Sequence, residues 1–160
     1  MAAPDAEAGR APGAPGADLH WLAAAIDLSK RCPPSDSAFS VGALVVGGSG
    51  QLIATGYSRE AGEADHAEEI ALREAEGEDL ARATLYSALE PCLRRKSRPT
   101  SCSALVTAAG LRRVVIAWRE PALFTPGGGA TWLASHGVTV VELPELASQA
   151  RAVNAHLLLP

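Results

Sequence analysis

His66, Glu68, Cys92 and Cys102 are the residues whose types and spacing could do chemistry in this chain. One imidazole and two thiolates make three good ligands for Zn²⁺, which prefers a tetrahedral shell of nitrogen and sulfur. Three protein ligands leave the fourth position open for water, the arrangement of a catalytic zinc. Zinc brings the pKa of a bound water to about 7, so hydroxide is available at neutral pH. Glu68 is not needed as a ligand. It stands two residues after the His, where it can move protons between that water and a substrate. Glu69 points away by about 100° if the segment is helical, and is expected to matter far less. Such a site needs no organic cofactor.

Singly, each of these residues has a plainer reading. A lone His is commonly a core or surface residue, a lone Cys packs as a small hydrophobe, and His-x-Glu arises by chance. The joint placement carries the argument. His66-Ala67-Glu68 opens a helix-like run, and Pro91-Cys92 closes a strand-like run over Leu85-Tyr86-Ser87-Ala88-Leu89. Cys102 near the start of a further helix has the partial positive charge of a helix N-terminus to favour its thiolate. Cys32, beside Pro33-Pro34, is left over as an ordinary free thiol.

The elements that position these residues follow from pattern. Residues 1–17 are Ala, Pro and Gly with a few charges, and are expected to be a disordered tail before a single domain over 18–160. Asp18 is expected to cap a helix with Leu19, Leu22, Ala23 and Ile26 on its apolar face, ended by Pro33-Pro34. Residues 41–46 and 51–57 read as a β-hairpin turned by Gly47-Gly48-Ser49-Gly50. A helix over 66–75, capped by Asp65 or a neighbour and closed by Gly77, buries Ala67, Ile70, Ala71 and Ala75. Then come a strand at 83–89, a helix at 101–109, a strand at 114–118 and a Pro/Gly-rich loop at 121–129. A helix at 130–135, a strand at 138–141 and a C-terminal helix from Pro144 to Leu158 complete the chain. Strands that alternate with helices favour parallel pairing through right-handed crossovers. The expected fold is α/β, a five-stranded mixed sheet with helices on both faces.

Composition excludes several function classes. Of 160 residues, 48% are hydrophobic, enough for a core, yet no run approaches the ~20 apolar residues of a membrane span. The N-terminus lacks the basic start and apolar stretch of a secretory signal, and three Cys make no disulfide framework. A reducing, cytoplasmic setting is expected. The net charge of −4 argues against a nucleic-acid partner, which needs many Lys and Arg phosphate contacts. Basic residues do concentrate at Arg94, Arg95, Lys96 and Arg98, between the two Cys. Both ends of that loop are tied to expected ligands, so its cations should lie near the pocket mouth and could clamp a substrate phosphate.

His-x-Glu followed by Pro-Cys and a second Cys resembles the zinc-dependent cytidine-deaminase superfamily. Within it the chain is most similar to the pyrimidine deaminases of riboflavin biosynthesis. The resemblance runs from about Leu19 to Leu158 through Gly56-Tyr57-Ser58-Arg59-Glu60, His66-Ala67-Glu68, Leu89-Glu90-Pro91-Cys92 and Arg98-Pro99-Thr100-Ser101-Cys102. It implies a three-layer α/β/α fold with Zn²⁺ on His66, Cys92 and Cys102, and Glu68 as the proton shuttle. It also implies a hydrolytic deamination that leaves a carbonyl and ammonia, and a homo-oligomer. The substrate would be a diaminopyrimidinone ribosylamino or ribitylamino 5′-phosphate, with Arg94, Lys96 and above all Arg98 near its phosphate.

Three departures bear on that substrate. Ala38-Phe39-Ser40-Val41-Gly42 stands where bacterial members commonly have Asn-Pro-Asn-Val-Gly, so Ser40 takes the place of an Asn expected to touch the base. Pro121-Ala122-Leu123-Phe124-Thr125-Pro126-Gly127 lacks the polar Asn of the bacterial loop. Bacterial members usually carry a reductase domain behind the deaminase, whereas a deaminase domain alone is expected here. A cytidine-type nucleoside or nucleotide deaminase is therefore the alternative, with related bases of specialised metabolism beside it. A non-catalytic, zinc-stabilised partner subunit is the third reading, and Glu68 counts against it, because a structural zinc has no use for that carboxylate.

Overall fold

Glycines seat the helices on the sheet. The computed structural model describes residues 10–159, in which β1 (Gly42–Val46) pairs antiparallel with β2 (Leu52–Tyr57). A Cβ on Gly42 would strike the backbone of α1 (Ala17–Ser29), and one on Gly56 would strike that of α2 (Ala67–Glu74). Ala43 and Gly56 are cross-strand partners and share a face, while Gly42 points to the opposite one. The two helices therefore lie on opposite faces of the sheet, each close enough that only glycine fits beneath it.

β3 (Thr84–Leu89) pairs antiparallel with β1 and parallel with β4 (Arg113–Trp118), which pairs parallel with β5 (Thr139–Glu142). The strand order is β2-β1-β3-β4-β5, a five-stranded mixed sheet. β1 and β3 are buried throughout, as strands covered on both faces must be, while the edge strands β2 and β5 are partly exposed. α3 (Cys102–Ala108) packs on α2, and α4 (Gly129–Ser135) on α3. A 3₁₀ turn at Pro144–Leu146 leads into α5 (Ala147–Val153), which packs on α1 and β4, and then α6 (Ala155–Leu158). The fold is α/β with helices on both faces, as the sequence pattern implies. No helix among the described residues is long and apolar enough to cross a membrane.

Several details differ from the expectations. Residues 1–9 of the expected tail lie outside the described residues. The stretch from Arg10 to Gly16 forms turns, with its backbone held by Trp21, whose Nε1 donates to the Arg10 carbonyl at 2.8 Å. Asp18 does not cap α1; Gly16, in the left-handed region at φ 76°, occupies that place. Asp18 instead accepts both Arg113 guanidinium nitrogens, at 2.9 and 2.6 Å, and the Tyr86 hydroxyl at 2.6 Å. That ties α1 to β3 and β4. Its carboxyl is held below the usual range, mainly by the Arg113 hydrogen bond, and the buried Tyr86 hydroxyl is pushed up. The buried face of α1 is Ala17, Trp21, Leu22, Ala25, Ile26 and Ser29, so Leu19 and Ala23 face outward.

The C-terminal helix also breaks, at Asn154, and the break has a cause. The buried Asn154 side chain accepts from Ser40 N at 2.7 Å and donates to Ser40 O at 3.0 Å, tying the C-terminal segment to the loop before β1. Asn154→Ala would leave both Ser40 backbone groups buried without partners, a loss of about 1–3 kcal/mol. Thermal denaturation should show a clearly lowered Tm, and an unchanged Tm would mean the contact contributes nothing.

Candidate active site

His66 precedes α2 in extended conformation, at φ −98° and ψ 151°. A side chain on Gly56 would collide with the Ala67 carbonyl, so the same close approach that seats α2 also sets the height of His66. Cys92 follows β3. Ser103 N donates to Cys92 O at 3.0 Å, and Ser103 Oγ to Pro91 O at 3.0 Å. Cys102 is the first residue of α3, whose cap Ser101 accepts from Ala104 N at 3.1 Å. These bonds bring three ligand atoms together: His66 Nδ1 lies 3.6 Å from Cys92 Sγ and 3.4 Å from Cys102 Sγ. All three atoms fall within 4.8 Å of one another, close enough to hold one metal ion.

The electrostatics suit a cation. Cys92 Sγ accepts the Cys102 backbone N–H at 3.2 Å. Its hydrogen bonds, foremost with the Cys102 thiol, pull Cys92 down to about 4. Cys102 is pushed up by the same shared bond and by burial. Cys92 is thereby the sulfur held closer to the thiolate that a cation binds. Arg95 lies beside them with its side chain 2% exposed, its Nη1 3.9 Å from Cys102 Sγ.

Glu68 is buried, and burial pushes its carboxyl up. Ser87 Oγ stands 2.8 Å from Glu68 Oε1 and 2.7 Å from the Leu89 carbonyl oxygen. One hydroxyl proton cannot serve both acceptors at once. Ser87 can donate to an ionised Glu68, or turn to Leu89 and accept from a protonated one. The carboxyl therefore keeps a partner in either state, as a proton carrier requires.

A cavity of about 460 Å³ is lined by Glu68, His66 and Cys92 at one side and by the basic loop at its rim. It lies at the carboxyl ends of the parallel strands β3 and β4, the usual place for a ligand in an open α/β sheet. Arg94 and Lys96 line it and are exposed. Neither has an ion-pair partner among the described residues. Arg98 and Ser40 do not line it. Arg98 sits between two carboxylates on the α2 side, 3.1 Å from Asp65 Oδ1 and 3.2 Å from Glu69 Oε2. Ser40 is buried, with its hydroxyl 2.7 Å from Arg59 Nη2 and its backbone engaged by Asn154. Glu69 is not remote from the cluster: its carboxylate accepts from the His66 backbone N–H at 3.5 Å, closing the first turn of α2, and pairs with both Arg95 and Arg98.

Arg59, Ser87 and Glu120 had no role assigned from sequence, and Arg95, expected with its loop to meet a phosphate, is buried against Cys102 and Glu69 instead. Arg59, at φ 59°, ties the loop before β1 through Pro33 O, Phe39 O and Ser40 Oγ. Ser87 and Arg95 have the contacts given above. Glu120 leaves the end of β4 as Cys92 leaves the end of β3, and that symmetry of parallel strands was the signal available for it. Its Oε1 accepts from Thr125 Oγ1 at 3.0 Å, and burial foremost pushes its carboxyl up to about 7. Glu90 is fully used as a brace: its oxygens accept from Glu120 N and Ala130 N, each at 2.9 Å.

Comparison with known proteins agrees with this geometry. Residues 16–118 match the family described as the cytidine and deoxycytidylate deaminase zinc-binding region. The diaminohydroxyphosphoribosylamino-pyrimidine deaminase of Schizosaccharomyces pombe is 36% identical over 126 residues, covering 76% of this chain and 31% of that protein. A solved RibD from Acinetobacter baumannii superposes with TM-score 0.73 at 31% identity, covering 88% of this chain and 39% of that one. The Rib2 deaminase of Aspergillus oryzae, solved in complex with DARIPP, superposes with TM-score 0.69 over 88% of this chain and 95% of that one. At 20% identity that last likeness is one of fold. The chain spans about a third of the length of the curated relatives it matches.

Proposed function

The chain belongs to the cytidine and deoxycytidylate deaminase family, and from that premise we propose that it hydrolyses the amino group of a phosphorylated diaminopyrimidinone. The observation that carries this reading is the cluster of His66, Cys92 and Cys102, of which His66 and Cys92 line one cavity with the buried Glu68. Zn²⁺ fits the donor set of one imidazole and two thiolates, and His66, Cys92 and Cys102 would hold it with one coordination position left for water. Zn²⁺ bound there supplies Lewis-acid activation of water at neutral pH. Glu68 takes a proton from the attacking water and passes it to a ring nitrogen, and then protonates the departing amine. Ser87 keeps the carboxyl oriented through both transfers. The C–N bond to the amine breaks, a carbonyl remains, and ammonia leaves.

The relatives named above support the choice of substrate, and so does the rim of the cavity. In this reading Arg94 and Lys96 receive the phosphate. Arg98 acts one step back by pinning the loop to α2 through Asp65 and Glu69. A charge-assisted hydrogen bond contributes about 1.5–3 kcal/mol. Arg94→Ala with Lys96→Ala should therefore raise KM for the phosphorylated pyrimidine at least tenfold and leave the dephosphorylated form nearly unaffected. Arg98→Ala should weaken both forms alike. If the wild type does not prefer the phosphorylated form, the clamp is wrong and a nucleoside or free base becomes the better substrate.

A further inference from the structure

One carboxylate on the cavity wall has acceptor capacity that the protein does not use. Three glutamates gather at this end of the sheet. Glu90 gives both oxygens to backbone N–H groups, and Glu68 is engaged by Ser87. Glu120 gives only Oε1, to Thr125, while Oε2 is shut off from solvent with no hydrogen-bond partner. A buried carboxylate oxygen without a donor is costly, and it is rare in folded proteins unless it serves something else. Glu120 is also held in place: its own N–H is anchored to Glu90, and the left-handed Gly127, at φ 75°, packs against its carbonyl where a Cβ would not fit. Only the terminal carboxylate torsion is soft, so Oε2 can turn towards a donor entering the cavity without the backbone moving.

We propose that Glu120 determines substrate specificity by accepting a hydrogen bond from an N–H group of the pyrimidine other than the amine that leaves. This rests on the reading of the chain as an aminopyrimidine deaminase and names what the site reads on the ring. Phe39 and Phe124, 5.0 Å apart edge to face, both line the cavity and offer apolar surface to the faces of a ring. Apolar contact with ring faces leaves the edge unread. An ionised carboxylate accepts and never donates, so it reads an edge by the presence of N–H. A diaminopyrimidinone carries N–H donors besides the reacting amine. Cytosine carries none: its ring N3 and O2 are acceptors, which a carboxylate repels. A site built around such a bond rejects the analogue that lacks the donor, because its own buried group is then left unpaired.

The test pairs two ligands with two variants of the zinc-loaded protein. Glu120→Ala should lower kcat/KM for the diaminopyrimidinone phosphate by about 10–100-fold, the scale of a charged hydrogen bond. Glu120→Gln, which keeps an acceptor oxygen, should recover part of that loss. Cytidine 5′-monophosphate, which has no such donor, should by contrast bind Glu120→Ala more tightly than wild type, because the carboxylate that repels its ring acceptors is gone, and zinc content should not change. Equal losses for both ligands, or no loss for the diaminopyrimidinone, overturn the role of Glu120. Failure of the wild type itself to release ammonia from the diaminopyrimidinone overturns the substrate reading, and the proposal with it.

Discussion

Glu68→Gln is expected to keep its metal and lose turnover by at least about 10²–10⁴-fold, the contribution typical of a general acid–base group. The substitution keeps the size of the side chain and an oxygen for Ser87, but it removes the group that carries the proton. Burial makes the contrast sharp. Glu68 is 4% exposed, so bulk water has poor access to replace it as a proton carrier. Glu69→Gln is the paired control. It breaks or weakens the contacts with Arg95 and Arg98 and should cost stability, but it leaves the proton path intact. Zinc content by elemental analysis and single-turnover rates separate the two. Near-normal turnover in Glu68→Gln would remove that residue from the mechanism.

Cys102→Ala is expected to abolish tight zinc binding. Cys102 is fully buried, is one of the three residues that could hold the metal among the described residues, and donates its backbone N–H to Cys92. A ligand that binds only the folded state stabilises it in proportion to the logarithm of its concentration over Kd. Wild-type Tm should therefore fall when a chelator strips the metal, and the Tm of Cys102→Ala should be low already and insensitive to chelator. Full zinc occupancy in Cys102→Ala would overturn the ligand set.

The local signals in the chain were strong where one residue type has one use. His66, Cys92 and Cys102 group together from sequence alone, because zinc accepts few ligand types and each stands at an element boundary. The continuous apolar runs of β1 and β3 likewise marked strands covered on both faces. What stayed illegible depended on partners far along the chain. Asp18 has the composition of a helix cap, but Arg113, 95 residues away, claims its carboxylate. The helix break at Asn154 depends on Ser40, 114 residues away. Arg98 carries the charge of a phosphate clamp, yet Asp65 and Glu69 are already there to take it. Arg94 and Lys96 reach the cavity through the turn of the loop, and charge counting alone cannot order five neighbouring residues around a rim. Ser40 replaces an expected base contact but turns its hydroxyl to Arg59, a residue whose left-handed backbone no propensity would have assigned.

The most direct test is ammonia release by the zinc-loaded protein from the diaminopyrimidinone 5′-phosphate, run beside cytidine, its nucleotides and guanine. Release from the diaminopyrimidinone in preference to the others is expected, lost with chelator and restored by Zn²⁺. Release from cytidine or guanine alone, or release that survives complete removal of the metal, would contradict the account.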